Sequence, residues 1–286
     1  MIKSNNIFIQ LIDVIYNIAF NIFLSFMENI SPNLQSIIWQ KIYEFSAKVY
    51  DNQNWKFMNF GYTSLDHQNS IILDKNDEDN RYYIQLYNHV LSNIDLKDLK
   101  VLEIGSGRGG GADYIKRYFK CKKMVGIDFS ENAVKFCTNN YDIDGLSFKI
   151  GNAESLPLPD NSFDVVINVE SSHCYASIDN FLSEVKRILP QNGYFLFADF
   201  RDVKEMNFLR EKLDQSGFTL IKETDITPNI IKAIELDNER KTNWIKTTIH
   251  KPLISIFIQM SGCKNSDIYN RFTSGKTIYH SFILSN

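Results

Sequence analysis

The sequence predicts a doubly wound α/β fold, with seven strands in a mostly parallel sheet, an antiparallel last strand and a helical lid. Short apolar runs alternate with helical patterns from residue 101 onward, which is typical of parallel strands joined by right-handed helical crossovers. The first run leads into a glycine-rich turn and a helix start. A last apolar run closes the chain after a mostly helical excursion at 228–273.

The predicted elements follow one another in a regular order. The stretch 217–221 predicts a sixth strand and 277–284 predicts the seventh. Because only a short turn at Gly275 precedes the seventh strand, we expect it to insert antiparallel near the edge of the sheet. The earlier strands are predicted at 101–104, 124–127, 146–150, 163–169 and 194–198, and the helices beside them at 112–119, 131–139, 178–189 and 203–215.

Composition limits the class of protein. The chain has 286 residues, 44% hydrophobic and 23% charged, which is ordinary for a soluble globular protein with one large domain. A net charge of −3 argues against a nucleic-acid partner held by bulk electrostatics. The four cysteines form no C-x-x-C pair, which favours free thiols over a disulfide frame or a zinc site. We therefore expect a cytoplasmic protein without a metal site.

Residues 7–27 form an almost wholly apolar segment with one narrow polar stripe. The segment is long enough to span a bilayer, but Asp13 inside a lone span would cost roughly 2.5–3.5 kcal/mol. We expect an amphipathic helix that covers the substrate entrance or makes peripheral contact with a membrane. The alternative is a helix packed on the domain with its stripe to solvent. The stripe consists of Gln10, Asp13, Asn17, Asn21 and Ser25.

Two further segments precede the predicted sheet. A helix is predicted at 33–50, and an aromatic-rich segment follows at 54–62. Such dense aromatic residues either line an apolar pocket or fix a loop to the core, and the sequence leaves both open. We assign residues 1–80 to an N-terminal helical and aromatic lid segment, and residues 81–286 to the main domain with 228–273 as a helical insertion.

The glycine-rich turn predicts a cofactor site. Gly105, Gly107 and Gly109 let the backbone turn sharply, and the helix start offers unpaired N–H groups to a ligand. Gly110 also completes a dinucleotide fingerprint, so the loop alone does not separate a dinucleotide from S-adenosylmethionine. Glu103 favours S-adenosylmethionine over a dinucleotide. A carboxylate there can accept from the loop N–H groups and from the ammonium of an amino-acid tail, whereas it would repel a pyrophosphate.

The ends of the next two strands predict contacts with an adenosine. Asp128 ends the second strand, where an acid can accept from both ribose hydroxyls. Its alternative role is a helix cap, which Ser130 can also supply. After the third strand, the amide of Asn152 could bond an adenine amino group, and Ala153 offers a backbone N–H. The alternative there is a polar turn before a proline-rich loop.

The fourth strand leads into the segment predicted to carry the chemistry. In open α/β sheets ligands bind beyond the carboxyl ends of the strands, so we expect residues 170–175 beside the reactive end of the cofactor. His173 has the pKa range of a general base, although it could instead position substrate. Glu170 could orient His173 or take the proton itself. Cys174 is not expected to act as a nucleophile.

Four motifs in this order resemble those of class I S-adenosylmethionine-dependent methyltransferases. The resemblance implies a Rossmann-like methyltransferase fold and S-adenosylmethionine as cofactor. Asn152 departs from the family pattern, which has an acid there, but its amide keeps an acceptor. The motifs are VLEIGSGRGGG at 101–111, GIDFS at 126–130, GNAESLPLPDNSFDVVINVE at 151–170 and NGYFLFAD at 192–199.

The resemblance assigns roles to individual residues. It implies that Glu103 and the glycine loop hold the methionine part of the cofactor and that Asp128 holds the ribose. The other residues expected at the cofactor are Phe129, Asn152 and Ala153 around the adenine, together with Gly109, Glu154, Asn168 and Tyr62.

A narrower resemblance covers most of the chain. The segments 57–62, 107–111, 170–175 and 275–283 are similar to the mycobacterial phthiotriolone/phenolphthiotriolone dimycocerosates methyltransferases, which act on a hydroxyl of a long-chain polyketide lipid. The resemblance implies O-methylation of a hydrophobic small-molecule acceptor, and we expect His173 to accept the hydroxyl proton. Three alternatives remain open: methylation of carbon or nitrogen on another metabolite, a non-catalytic S-adenosylmethionine-binding module at a membrane, and a nicotinamide dehydrogenase.

Overall fold

A computed structural model describes residues 22, 26, 29–49, 55–66, 71–91 and 94–286. The predicted helix at 7–27 lies outside these residues, apart from Ile22 and Phe26, which are both helical and exposed. Among the described helices, none is long and apolar enough to cross a membrane.

Seven strands form one sheet in the order β3-β2-β1-β4-β5-β7-β6. Neighbouring strands are parallel except at β7, which is antiparallel to both β5 and β6. The predicted fold class is therefore confirmed, and β6 is the outermost strand. The strands are β1 (Lys100–Ile104), β2 (Lys123–Asp128), β3 (Leu146–Ile150), β4 (Val165–Val169), β5 (Tyr194–Asp202), β6 (Thr219–Asp225) and β7 (Thr277–Ser285).

Helices cover both faces of the sheet, and three of them lie between β6 and β7, where the helical excursion was predicted. Short 3-10 helices occur at Lys75–Asn80, Ser172–Cys174 and Lys251–Leu253. The α-helices are α1 (Pro32–Val49), α2 (Arg81–Leu91), α3 (Gly110–Tyr118), α4 (Glu131–Asn140), α5 (Ile178–Ile188), α6 (Val203–Gln215), α7 (Thr227–Thr248), α8 (Ile254–Met260) and α9 (Asp267–Thr273).

Several boundaries differ from the prediction, and two of these differences have local reasons. The helix after the glycine turn begins at Gly110 instead of Ala112, because Gly109 is its N-cap in the left-handed conformation. The sixth strand begins at Thr219 instead of Gly217, because Gly217 also has a positive φ of 76° and belongs to the turn after α6.

The centre of the sheet positions the functional site. All five residues of β4 and four of the five in β1 are buried, because helices cover both faces of these central strands. The strand order reverses between β1 and β4, so their carboxyl ends open a crevice. This crevice is the place where ligands bind in doubly wound sheets.

Candidate active site

A cavity lies at the carboxyl ends of β1 and β4, with about 930 Å³ of empty space that includes its open mouth. Its walls come from the glycine loop, the end of β2, the segment after β4, the aromatic segment and α1. The structure therefore brings together five of the predicted site residues at this cavity, namely Gly105, Gly107, Asp128, Phe129 and Glu170.

The glycine loop turns tightly against the segment after β4. Gly105 has a φ of 73°, and a β-carbon there would lie only 2.1 Å from Ser171 Oγ, so a larger residue does not fit. Gly109 does not border the cavity. A β-carbon on it would meet the rings of Phe148 and Tyr141 at 2.8 Å, so it allows close packing of α3 on β3.

Glu103 is fully buried behind the glycine loop, and one of its oxygens has no partner. Glu103 Oε1 accepts from the Tyr87 hydroxyl at 2.7 Å, whereas Oε2 has no hydrogen-bond partner among the described residues. Burial raises the pKa of Glu103 to about 8, although the bond from Tyr87 opposes the shift. An orphaned acceptor in this position fits a cationic ligand group such as the ammonium of S-adenosylmethionine.

The loop N–H groups bind the second strand instead of Glu103. The N–H groups of Gly105 and Ser106 donate to the Ile127 carbonyl at 2.8 and 3.0 Å. The N–H of Gly107 donates to Asp128 Oδ2 at 2.8 Å. The expectation that Glu103 accepts from them is therefore wrong, because the parallel pairing of β1 and β2 brings the end of β2 closer to the loop.

Asp128 is a buried carboxylate held by two backbone donors. In addition to Gly107, the N–H of Ser130 donates to Asp128 Oδ1 at 2.9 Å. Burial raises the pKa of Asp128, and these two hydrogen bonds oppose the shift. Ser130 itself is the N-cap of α4 and accepts from the Ala133 N–H at 3.1 Å. The carboxylate of Glu44 on α1 accepts from the side chains of Ser130 and Asn132, which fixes α1 beside Asp128.

Four predicted cofactor residues lie away from this cavity. Asn152 is exposed and closes its own turn, because its Oδ1 accepts from the Glu154 N–H at 2.9 Å. Ala153 is buried beneath the same turn, and Glu154 accepts from the Ala176 N–H at 2.8 Å. Tyr62 stacks on the His89 ring with 4.4 Å between ring centroids. Their roles at the cofactor stay predictions.

Asn168 is buried in β4, directly behind the cavity wall. Its Nδ2 donates to the Ile104 carbonyl at 2.9 Å, to Ser171 Oγ at 2.8 Å and to the Tyr175 hydroxyl at 3.0 Å. The amide therefore fixes the segment after β4 to the end of β1, although Asn168 does not itself border the cavity.

Asp199 lies in β5 just beyond the stretch that pairs with β4, and it forms an ion pair with His173. His173 Nδ1 lies 2.9 Å from Asp199 Oδ1, and Arg201 lies 3.1 Å from Asp199 Oδ2. Burial alone would lower the pKa of His173, but the adjacent Cys174 and Asp199 outweigh it and raise that pKa to about 10. The negative charge of Asp199 therefore favours the protonated form of His173.

Glu170 is the carboxyl group in the cavity wall. Its backbone has a φ of 48°, which is unusual for a residue with a side chain. Its Oε1 accepts from the Phe60 N–H at 2.9 Å. Burial raises the pKa of Glu170 to about 8, and the negative charge of Asp199 adds to the rise while the Phe60 bond opposes it. The buried hydroxyl of Tyr279 faces this carboxyl group and also opposes the rise in its pKa.

The aromatic segment at 55–62 both lines the apolar cavity and fixes its loop to the core. Trp55, Phe57 and Met58 line the cavity, whereas Phe60 packs on the core ring of Phe272 at 5.6 Å. The segment is fixed to the glycine loop, because the Trp55 carbonyl accepts from Arg108 Nε at 2.5 Å.

Sequence reasoning missed three residues of the site. Asp199 follows an apolar run in the same way as Asp128, and this signal could have found it. Tyr43 lines the cavity and Glu44 anchors α1, and both lie in the segment predicted as a lid, but the sequence singles out neither side chain.

Comparison with known proteins agrees with this geometry. A family model described as a methyltransferase domain matches residues 102–197. A fatty-acid O-methyltransferase of Mycolicibacterium smegmatis is 36% identical over 68% of this chain and 70% of its own length. A probable phthiotriol/phenolphthiotriol dimycocerosates methyltransferase 2 of Mycobacterium ulcerans is 34% identical over 79% of this chain and 85% of its own length.

A solved structure shares the fold. The cyclopropane synthase MmaA2 from Mycobacterium tuberculosis superimposes with a TM-score of 0.63 at 14% identity, over 84% of this chain and 93% of that one. The motifs, the cavity at the switch point and these relatives lead to one conclusion. The chain belongs to the S-adenosylmethionine-dependent methyltransferases and is an enzyme of that family with S-adenosylmethionine as its cofactor.

Proposed function

We propose that this methyltransferase acts on a hydroxyl oxygen of a hydrophobic lipid or polyketide-type acceptor. The observation that carries the proposal is the Glu170 carboxyl, which lies in the cavity wall with a pKa raised to about 8. An alcohol must lose its proton as its oxygen attacks the methyl group, and a base with a pKa near the working pH serves this best. The names of the relatives from Mycobacterium ulcerans and Mycolicibacterium smegmatis support a hydrophobic acceptor.

The cofactor roles in this proposal follow the ends of the strands. Glu103 accepts from the ammonium through its orphaned Oε2, Gly105 and Gly107 allow the methionine part to approach the backbone, and Asp128 accepts from the ribose. Phe129 covers the adenine. When bound, the cofactor supplies a methyl group already activated on a cationic sulfonium. The protein therefore needs mainly to align the acceptor and exclude water.

Other residues hold these groups in position. Gly109 sets the start of α3, Glu154 fixes the loop at Ala176, and Asn168 fixes the segment after β4. Asn152 and Ala153 are proposed at the outer side of the adenine.

Proton transfer is assigned to Glu170, and His173 is assigned a different role. As an imidazolium paired with Asp199, His173 presents a fixed positive charge next to Glu170 and stabilises the Glu170 carboxylate. If His173 instead acts as the base, the rate must follow its own titration near pH 10.

Methylation of a carboxylate is a second candidate, favoured by the same imidazolium. An ionised fatty acid needs no base and would bind well beside a cation. The Mycolicibacterium smegmatis relative carries the name of such an activity.

Peripheral membrane contact through the N-terminal part of the chain is also proposed. Ile22 and Phe26 are exposed, with 64% and 53% of their surface accessible, and Ile37 on α1 is 52% exposed. Ile22 and Phe26 lie one helical turn apart, and exposed apolar side chains of this kind suit the surface of a bilayer. Replacing Phe26 and Ile37 with serine should abolish sedimentation with phospholipid vesicles, and unchanged sedimentation would contradict the contact.

The rate of methyl transfer to octadecanol as a function of pH tests the proposed chemistry. We expect kcat/KM to rise with pH and to level off above about pH 8, because only the ionised form of Glu170 accepts a proton. Glu170→Gln should lower kcat at least about a hundredfold, as is typical for loss of a general base. His173→Gln should lower it less and keep the midpoint below pH 9. If kcat/KM does not change with pH in the parent or in either variant, a base-assisted reaction is refuted.

A further inference from the structure

The excursion between β6 and β7 carries an apolar cluster of its own. Ile245 and Ile249 at the end of α7 are buried together with Cys263. This group, called the Trp55 cluster below, is separate from the two clusters that cover the faces of the sheet. Burial of the sheet therefore does not depend on it. The half-buried members are Trp55, Trp244, Leu253, Ile254, Phe257 and Ile258.

Trp55 joins this cluster to the cavity. Trp55 lines the cavity, and its ring centroid lies 6.1 Å from that of Trp244 and 6.2 Å from that of Phe257. Its carbonyl is fixed by Arg108, so the position of the ring is tied to the glycine loop. One apolar surface therefore runs from the cavity wall to α8.

Helix α8 is rich in large apolar residues, but none of them is fully buried. Its sequence ISIFIQM contains five large apolar residues, yet all seven residues are half-buried and none is buried. A helix of seven residues is too short to be stable without packing. Its C-terminal end is fixed, because Lys241 Nζ donates to the Ser261 carbonyl at 3.2 Å. Half-buried apolar side chains on a fixed element, next to a cavity, are typical of the walls of a site for an apolar ligand.

We infer that the Trp55 cluster holds the alkyl tail of the acceptor, in a site that begins at Trp55 and follows α8. This inference rests on the proposed function, because its ligand is the acceptor proposed there. Glu170 and Trp55 line the same cavity, so an acceptor with its oxygen at Glu170 can direct its chain past Trp55. The members of the cluster carry no charged group, which suits an alkyl chain and not a polar tail.

Tryptophan fluorescence tests the location directly. Trp55 and Trp244 are two of the three tryptophans in the chain, and Trp39 is the third. The full chain with Trp39→Phe, saturated with S-adenosylhomocysteine, is titrated with octadecanol brominated at mid-chain and with unmodified octadecanol. Because bromine quenches tryptophan on contact, we expect the brominated alcohol to remove at least half of the emission and the unmodified one to leave it. Equal emission with both alcohols would overturn the inference.

A matched pair of variants tests the consequence for turnover. Phe257→Ser should raise the KM for octadecanol at least tenfold while kcat and the affinity for S-adenosylmethionine stay within twofold. Phe208→Ser is the control, since Phe208 is 52% exposed on α6, away from the cluster. Equal KM values in the two variants would also overturn the inference.

The outcomes separate this inference from the proposed function. Quenching without methyl transfer to any alcohol would refute the proposed function and leave the tail site standing. Methyl transfer to octadecanol without quenching would refute the tail site alone.

Discussion

The Asp128 carboxylate accepts a hydrogen bond from the backbone N–H of Gly107 at 2.8 Å, which joins the end of β2 to the glycine loop. The same carboxylate is the proposed acceptor for the ribose. One side chain therefore both shapes the loop and binds the ligand.

Asp128→Ala should weaken S-adenosylmethionine binding by about 2–3 kcal/mol, or roughly a hundredfold, because hydrogen bonds to a charged acceptor are lost. Isothermal titration calorimetry measures the affinity. Asp142→Ala, at an exposed position after α4, is the control and should bind like the parent. Equal affinities in the two variants would contradict the role of Asp128.

Glu103 makes stability depend on pH. Its pKa is about 8 in the folded protein and near 4.5 when unfolded, so the native state binds more protons between these values. The contribution of Glu103 to the stability of the ligand-free chain should therefore be largest below about pH 4.5 and fall by a few kcal/mol as pH rises to about 8, at about 1.4 kcal/mol per unit of pKa. Urea unfolding should show that Glu103→Gln gains stability relative to the parent between pH 6 and pH 9.

Glu184 is the control, because its pKa is shifted in the direction opposite to that of Glu103. Its hydrogen bonds with Arg187 lower its pKa, so it stabilises the fold above the pKa of the unfolded chain, and this stability is lost in acid. Glu184→Gln should be less stable than the parent at neutral pH. If the free energy of unfolding changes with pH by the same amount in the parent and in Glu103→Gln, the burial of an ionisable Glu103 is contradicted.

Loss of the ion pair between Asp199 and His173 should destabilise the fold more than loss of any other polar contact in the site. Asp199→Asn leaves His173 and the nearby Arg201 without a buried counter-charge, which typically costs about 3–5 kcal/mol. In the parent, His173 adds stability that is complete below about pH 6.5 and is lost as pH rises towards 10.

NMR titration of the histidines checks this pairing. The pKa of His173 should fall in Asp199→Asn, while that of His89, which is lowered by burial and by the charge of Lys222, should not change. An unchanged pKa for His173 would contradict the pairing.

Gly105 and Gly275 separate backbone strain from steric overlap. They have nearly the same φ, 73° and 72°, but a β-carbon on Gly105 lies 2.1 Å from Ser171 Oγ and one on Gly275 meets nothing within 4 Å. Gly275→Ala should cost about 1–2 kcal/mol for the left-handed conformation alone. Gly105→Ala should cost about 1–3 kcal/mol more, because the overlap forces the loop to move.

Urea unfolding measures both free energies. Ser171→Gly, which removes the overlapping atoms, should restore part of the loss in Gly105→Ala. Equal losses in the two alanine variants would show that the glycine loop does not pack as described.

The fold could be predicted because its signals are local. The buried run of β4 and the glycine turn after β1 each fix one element, and alternation fixes their parallel pairing. The position of β7 between β5 and β6 depends on pairing between residues far apart in the chain, so the sequence indicated only an antiparallel strand near the edge.

The candidate site was predictable only in part, for the same reason. Glu103, Asp128 and Glu170 were found because acids at strand ends share one edge of the sheet. The exposed turn at Asn152 was predicted only as the alternative, because the sequence does not show that its side chain accepts a bond from its own neighbour Glu154. The place of Tyr62 depends on stacking with His89, which the sequence does not encode locally.

The central claim is that the chain forms a methyl ether on a hydrophobic alcohol. The most direct measurement gives the enzyme S-adenosylmethionine with a trideuterated methyl group and equal amounts of octadecanol and stearic acid, and identifies the products by mass spectrometry. We predict that the trideuteromethyl ether of octadecanol is the main product and that Glu170→Gln suppresses it. The methyl ester of stearic acid as the sole product, or no labelled lipid at all, would contradict the claim.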